Sequence, residues 1–571
     1  MTEMNTTTKS VVAMGLGPFI AIAFGVGCAD GEDCAANRTC GATAGSSHAG
    51  NSGKSGSGST DAGSSNGGSS GTSGSSNTSG SAGVMGGGGD GGAGGSACTG
   101  DVSDDAACWT TNDLGVFVSS DTGDDTTGNG TKEMPFKTIT KGIASASGKN
   151  VYVCVGAADY SEKISLDLAS DGTQIYGGFE CANWTYATTR SAQVLSPSNI
   201  ALRIDGLKKG VHIENVSFKA ADATGTGTDA SSYGAFVTSS KGVELTRVTL
   251  TAGDGAKGGD GKDGNKGADG SVAGTAPPGT AGLCPPFPVD PAPIFAGGKW
   301  TIETECGSQG GTGATALKTT ANGPSGAPGG PTEHIDPLAD VENGGPGETA
   351  SITMLDGKPG AQGDPGALGD AAPTTGAFST VGFIPADGKP GQAAFAGQGG
   401  GGGGASKGTG TCYGASGGAG GMGGCGGSAG GAGGGGGASV GLFSWSSDIS
   451  LIASTVKSAA GGDGGAGGEG GLPGAGAPGG AGGEQDKAQL VALGGSGGRG
   501  GNGGRGGNGS GGTGGPSYAL VYSGMKPLYD LGDTTLTAGT PGAAGVGGEQ
   551  VSTTKAPDGS VGKSGTEFPV P

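Results

Sequence analysis

The stretch SYGAFVTSSKGVELTRVTLTA, residues 232–252, places apolar side chains at every second position in short runs. Val243 and Leu245 form one such pair, and Val248 and Leu250 form another. A period of two is typical of β-strands that bury one face. A block of roughly 20 residues with two or three short strands has the size of one coil of a β-solenoid. The stretch therefore predicts a coil that needs neighbours to bury its apolar face.

The same kind of block occurs at three other places in the chain. Each copy runs from a serine to a closing alanine, and the further copies are residues 198–220, 439–459 and 517–538. Inward side chains of one coil must stack on those of the next, since no coil is stable alone. We therefore expect an all-β solenoid in which Phe236, Phe443 and Val521 occupy one column.

Glycine dominates the rest of the chain, with 141 glycines in 571 residues. From Gly494 to Gly515 every third residue is glycine, and shorter runs with the same period start at Gly255 and Gly357. Three residues per turn is the period of the polyproline II helix, whose glycine edge lets backbones approach closely. Two alternatives stay open, a packed set of such collagen-like helices and a flexible glycine linker. Packed helices predict protection of amides 494–515 from hydrogen exchange.

The glycine-rich segments begin just after a closing alanine and end just before the next serine. This divides the folded part into a solenoid start at 98–252, an insertion at 253–437, a coil at 438–460, an insertion at 461–515, a coil at 516–540 and a tail at 541–571. All insertions leave the same corner of the coil, so we expect them to emerge on one side of the solenoid. Long insertions are tolerable because the entropy of loop closure grows only logarithmically with length.

The N-terminus has the features of an export signal, an apolar run from Val11 to Val26 preceded by Lys9. It ends in Gly25-Val26-Gly27-Cys28, which resembles a bacterial lipoprotein cleavage box. We predict a signal peptide at 1–27, a lipid on Cys28 and a flexible Ser/Gly-rich tether at 28–97. An ordinary secreted protein and an uncleaved anchor are the alternatives. The predicted location is the outer membrane or cell surface, with membrane contact through the lipid alone.

Ten further cysteines form an even set, which in an exported chain indicates disulfides rather than metal ligands. They fall along the sequence as five local couples, which predicts pairing between neighbours: Cys34 and Cys40, Cys98 and Cys108, Cys154 and Cys181, Cys284 and Cys306, Cys412 and Cys425. The three histidines, His48, His212 and His334, are scattered and define no metal site. No cofactor is expected.

Residues 116–180 resemble the opening of uncharacterised bacterial parallel β-helix proteins of the pectate-lyase-like superfamily. The similarity lies in VFVSSDTGDDTTGNGTKEMPFKTITKGI, VYVCVGAADYSEKISL and IYGGFE. The resemblance implies a right-handed parallel β-helix in which the Pro-Phe-Lys-Thr-Ile segment forms an N-terminal capping helix. It transfers a fold and not a reaction.

The net charge and the positions of the acidic residues narrow the possible classes of function. The net charge of −20 argues against nucleic acid as a partner. The coil carboxylates, Asp205, Glu214, Glu244, Asp448 and Asp530, form no ladder on one face, and Lys241, Arg247 and Lys457 have no aligned acid. We therefore expect these residues to be surface charges rather than an acid–base pair. The expected function is that of a non-catalytic structural or adhesive surface protein that contacts polysaccharide or extracellular matrix.

Two alternatives remain from the residues. A carbohydrate-active lyase or hydrolase would need clustered carboxylates, and its sugar could stack on Trp184, Trp300, Trp445 or Tyr522, for which packing is the other interpretation. A calcium-dependent binding module would use the acids of one glycine run, Asp254, Asp260, Asp263 and Asp269. The oligomeric state is not indicated.

Overall fold

Three sheets of parallel strands, A, B and C, stack along the chain. The computed structural model describes residues 98–287, 294–318, 322–338, 342–372, 375–549 and 555–571. Sheet A has seven strands: β1 (Gly115–Val118), β2 (Asn150–Val155), β4 (Gln174–Glu180), β7 (Val211–Glu214), β10 (Val243–Thr246), β17 (Ile449–Ile452) and β20 (Leu528–Tyr529). Sheet B has five: β5 (Ala192–Leu195), β8 (Val216–Lys219), β11 (Thr249–Thr251), β18 (Thr455–Lys457) and β21 (Thr535–Thr537). Sheet C has six: β3 (Ile164–Leu166), β6 (Ile200–Asp205), β9 (Ser232–Thr238), β16 (Ser439–Trp445), β19 (Ser517–Ser523) and β22 (Ser564–Pro569).

The chain visits the sheets in the repeated order C, A, B, as in a solenoid. Each sequence block supplies one strand to each sheet, for example β9, β10 and β11 from residues 232–252. In sheet C, Phe443 pairs with Phe236 on one side and with Val521 on the other. The predicted column is confirmed, and with it the stacking of coils that the repeated blocks indicated.

Inward side chains form one continuous apolar core between the sheets. Residues in register stack on each other from coil to coil and are almost completely buried: Ile213, Leu245 and Leu451 in sheet A, Phe218, Leu250 and Val456 in sheet B, and Leu202, Ala235, Leu442 and Leu520 in sheet C. Burial of this stacked surface is the main favourable contribution to folding.

Two short α-helices lie near the start of the described chain, α1 (Ala106–Trp109) and α2 (Ile139–Ser145). The Thr138 side chain caps α2 by accepting a hydrogen bond from the backbone N–H of Lys141. Ile139 packs into the core beside Val118 of β1. Phe136 lies before the helix and forms a β-bridge with Val118, so the expectation that the whole Pro-Phe-Lys-Thr-Ile segment is helical is wrong. The cap at Thr138 sets the helix start.

The glycine-rich segments pack side by side through regular backbone hydrogen bonds. We call them the glycine bundle: residues 253–282, 296–316, 323–331, 343–348, 355–370, 386–405, 414–438, 460–484, 494–516, 539–549 and 555–563. Two small antiparallel pairs, β12 (Ile335–Asp336) with β13 (Gln362–Gly363) and β14 (Ala377–Ser379) with β15 (Gly382–Ile384), and 3-10 turns at Leu168–Ser170, Gly227–Ala230 and Gly270–Ala273 complete the elements.

Segment 494–516 shows the bonding rule of the bundle. Gly500 and Gly503 donate to the carbonyls of Ala477 and Gly474, both at 2.9 Å, whereas Gly504 donates to Phe395 on another neighbour at 2.8 Å. Donors to any one neighbour recur every third residue, which is the period of polyproline II. Backbone bonds therefore offset the large entropy that glycine loses on ordering.

The outer face of sheet C is covered by a loop of the longest glycine-rich segment. Tyr233, Phe236 and Phe443 pack there against Phe383 of β15. The backbone N–H of Phe383 donates to the hydroxyl of Tyr233 at 2.8 Å. The same strands thus bury one face inside the solenoid and the other against the β14–β15 hairpin.

Candidate functional site

The end of the glycine bundle farther from the sheets is the first candidate site, and we call it the tip. Segments 460–484 and 494–516 join the solenoid at β18 and β19, so the turn between them, 485–493, lies at the far end. Other turns meet it there, since Thr409 donates to the carbonyl of Leu490 at 3.1 Å and Ser406 to that of Ala492 at 2.8 Å. The tip therefore consists of several joined turns.

Covalent and apolar contacts hold the tip together. The disulfide Cys284–Cys412 joins two of its turns across 128 residues of sequence. Beneath them lies a small buried cluster: Phe295, Ala314, Ala316, Ala405 and Tyr413. Asp486 fixes turn 485–493 by accepting hydrogen bonds from the backbone N–H groups of Ala488, Leu490 and Val491. These hydrogen bonds fix the backbone of turn 485–493 and join it to the neighbouring turn at 406–413.

Large apolar side chains project from this end of the bundle. Phe287 and Met354 are 78% and 81% exposed, and Leu490 and Leu493 are each more than half exposed. Leu283, Ile294 and Leu317, in turns of the same end, are exposed as well. Exposed apolar residues gathered at one place on a protein mark an interaction surface more often than scattered single ones do.

A polar cluster on the outer face of sheet A is the second candidate. Glu214 is only 2% exposed and pairs with the guanidinium of Arg247 and the hydroxyl of Tyr186. His212 lies between two carboxylates, with Nε2 3.2 Å from Glu214 Oε2 and Nδ1 3.3 Å from Glu244 Oε1. The expectations that Glu214 is a surface charge and that Arg247 has no aligned acid are wrong. Register places His212 opposite Glu244 on the next coil.

The protonation states of this cluster follow from its contacts. Burial by itself would lower the pKa of His212, but hydrogen bonds to Glu214 and Glu244 outweigh burial and raise that pKa to about 9. Burial would raise the pKa of Glu214, yet the contacts with His212, Tyr186 and Arg247 hold it below its usual value. The His212 hydrogen bond also lowers the pKa of Glu244. At neutral pH the cluster is two cations paired with two anions, whereas a glycosidase acid needs a raised carboxyl pKa.

The disulfides correct the pairing expected between sequence neighbours. Cys98–Cys108 and Cys154–Cys181 join neighbours, but Cys284 pairs with Cys412 and Cys306 with Cys425. These four cysteines lie in segments that meet only through bundle packing, so sequence distance gave no guide. Cys28, Cys34 and Cys40 lie outside the described residues, together with 1–27 and the rest of the tether. The four disulfides indicate an exported protein.

The acids of the first glycine run bind backbone rather than gather around a cation. Asp254, Asp260, Asp263 and Asp269 each accept a backbone N–H of segment 460–484, with oxygen–nitrogen distances of 2.8–2.9 Å. Three residues of polyproline II span about 9 Å, so the four carboxylates are spread along the segment in steps of one or two triplets rather than gathered at one point. Within the described ranges, no group of three or more His, Cys, Asp or Glu side chains is arranged to hold a metal.

The aromatic residues weighed as sugar platforms have different environments. Trp184 and Trp300 are buried, and Trp300 donates its indole N–H to the carbonyl of Gly420 at 2.7 Å. Trp445 is partly buried beside Phe443, and Tyr522 packs against the solenoid core. Packing accounts for the two buried tryptophans.

The sheets define a protein of the parallel β-solenoid class. A family model described as "Protein of unknown function (DUF1565)" matches residues 121–181, which include α2, β2, β3 and β4. No curated protein and no solved structure matches the chain. No helix in the described part of the chain has the length and hydropathy to cross a membrane.

Sequence reasoning missed the tip. Its signal was present in short apolar runs that interrupt the glycine period, such as SITML at 351–355 and QLVAL at 489–493. Each run looked like an isolated break, because only the packing of the segments brings the runs to one end.

Proposed function

We propose that the chain is a non-catalytic adhesive protein of the cell surface, in which a right-handed parallel β-helix, capped by α2, carries the glycine bundle as a rigid insertion of polyproline II helices. The observation that carries this proposal is the set of exposed apolar side chains on the disulfide-linked turns at the tip. Turn 485–493, whose backbone Asp486 holds through three hydrogen bonds, loses little entropy on binding, which favours affinity.

The second part of the proposal concerns how the protein is held at the cell surface. The signal peptide at 1–27, a lipid on Cys28 and the tether at 28–97 would hold the folded part at the outer membrane or cell surface, and a secreted form is the alternative. The disulfides support export, and the sequence Gly25-Val26-Gly27-Cys28 supports lipidation.

The partner suited to the tip is a protein of the matrix or of a neighbouring cell. Met354, Leu490 and Leu493 are aliphatic, and such side chains bury well against protein surfaces. Polysaccharides are recognised through many hydroxyl groups, which these side chains do not hydrogen-bond. A polysaccharide partner is therefore the second outcome of the test.

The proposal is tested with the full chain displayed on cells and applied to immobilised matrix proteins and polysaccharides. Met354→Asp and Leu490→Asp should each weaken adhesion by roughly tenfold or more, the loss typical of a central contact. Leu168→Asp, at a residue 63% exposed on the solenoid, is the matched control and should adhere as the parent does. Equal adhesion by parent and tip variants would refute the role of the tip, and binding to polysaccharide alone would replace the protein partner.

The two other hypotheses have separate readouts. A carbohydrate-active enzyme would cleave members of a polysaccharide panel, and Glu244→Gln would remove that activity if the polar cluster performed it. A calcium-dependent module would show a melting temperature that rises with added calcium.

A further inference from the structure

A pocket of about 250 Å³ lies where the C-terminal strand, the glycine bundle and the β14–β15 hairpin meet. It is lined by segments distant in sequence, and its walls include Phe378, Phe383, Tyr518 and Phe568. Their rings contact one another, with centroids 4.9 Å apart for Tyr518 and Phe568 and 5.7 Å apart for Phe378 and Phe568. The pocket is thus largely apolar, and four aromatic rings form part of its walls.

Few polar groups line the pocket, and two of them are available to bind a ligand. Lys563 is the one charged side chain among the lining residues. In the described part of the chain, Lys563 forms no ion pair, and the Tyr518 hydroxyl makes no hydrogen bond to another residue. Burial raises the pKa of Tyr518, so its hydroxyl is a neutral donor at physiological pH.

We propose that this pocket binds a small organic anion with an apolar tail, of the alkyl or aryl carboxylate class. The tail contacts the aromatic walls, and the carboxylate lies near the Lys563 ammonium and accepts from the Tyr518 hydroxyl. A sugar fits less well, since the aromatic walls leave most of its hydroxyl groups without partners.

The volume sets the size of the ligand. A cavity of roughly 150 Å³ holds benzene, with six heavy atoms, so the pocket accommodates about ten. Octanoate has this size and is a suitable probe. The proposal adds a ligand site to the adhesive role and does not depend on the tip.

The test is calorimetric titration of the full chain with octanoate, 1-octanol and octylammonium. Octanoate should bind with a dissociation constant on the order of 0.1–1 mM, more tightly than the alcohol, and octylammonium should bind weakest. Lys563→Gln should weaken octanoate binding about two- to fivefold, as expected for an exposed charge pair, while octanol binding stays unchanged. Lys219→Gln, at an exposed lysine on sheet B, should alter neither.

A second variant tests the location of the site. Thr375 lines the pocket and is exposed, so Thr375→Trp should fill the space without disturbing the core and should remove octanoate binding. Absence of binding by the parent chain, or octylammonium binding as tightly as octanoate, would overturn the proposal. Unchanged octanoate binding by Thr375→Trp would overturn it as well.

Discussion

The rings of Phe443 and Phe236 stack with centroids 4.6 Å apart and planes inclined by 25°, although the longest glycine-rich segment separates them in sequence. They occupy matched positions on neighbouring strands of sheet C. The chain therefore leaves the solenoid for the bundle and returns in register with the coil that it left.

Phe443→Ala should destabilise the protein by about 3–5 kcal/mol, because Phe443 is completely buried and its removal leaves a cavity against Phe236 and the β14–β15 hairpin. Denaturant unfolding of parent and variant measures the change. Leu528→Ala, at a residue 67% exposed, should cost little. Similar losses for the two variants would contradict the packing described for sheet C.

Gly503→Ala should disrupt the bundle, since a Cβ at this position would lie 2.0 Å from the backbone carbonyl oxygen of Cys425. Backbone cannot move aside as a flexible side chain can, so we expect a loss of several kcal/mol, comparable to overpacking a core. Gly259→Ala is the matched control in another segment, where a Cβ meets nothing within 4 Å. Thermal unfolding should separate the two variants clearly, and equal stability would argue against close packing of segment 494–516.

Amides 494–515 should exchange slowly with solvent deuterium. Glycines throughout this range donate to carbonyls of neighbouring segments, as Gly498 does to Gly401 and Gly506 to Gly471, and opening them requires loosening the bundle. Mass spectrometry of peptides from this region gives the rate. Exchange at the rate of an unstructured peptide would restore the flexible-linker alternative.

The polar cluster should contribute most to the free energy of unfolding between roughly pH 4.5 and 6.5. His212 has a raised pKa in the folded chain, so its contribution is complete below its unfolded pKa of 6.5 and is lost as pH rises through about 9. At 1.36 kcal/mol per unit this amounts to roughly 3 kcal/mol. Glu214 and Glu244 have lowered pKa values, so their contribution is present above 4.5 and is lost as pH falls further.

His212→Gln should flatten the stability profile between pH 6.5 and 9 in urea unfolding. His334→Gln, at an exposed histidine directly before β12, should leave that slope intact. A slope unaffected by the loss of His212 would show that the imidazole does not carry the pH dependence.

Local sequence patterns predicted the solenoid but not the two candidate sites. Alternation in residues 232–252 identified the strands, and the serine-to-alanine blocks gave the register of Phe236 with Phe443, because both follow from the two-residue period of a strand. The polar cluster escaped prediction since Glu214, Arg247 and Tyr186 come from three different coils. These residues are close because of the register between coils and because of a turn after β10. Neither feature can be predicted from the spacing of residues within one coil.

By itself the sequence determined the parallel coils and the three-residue period of the glycine-rich segments, since both are short-range consequences of side-chain size and backbone freedom. Only the tertiary structure decided that the segments pack as a bundle, that Cys284 reaches Cys412, and that Met354 and Leu490 meet at one end. Those contacts join residues far apart in the chain. Because the glycine runs are nearly identical and bond through their backbones, their side chains do not indicate which runs lie next to each other.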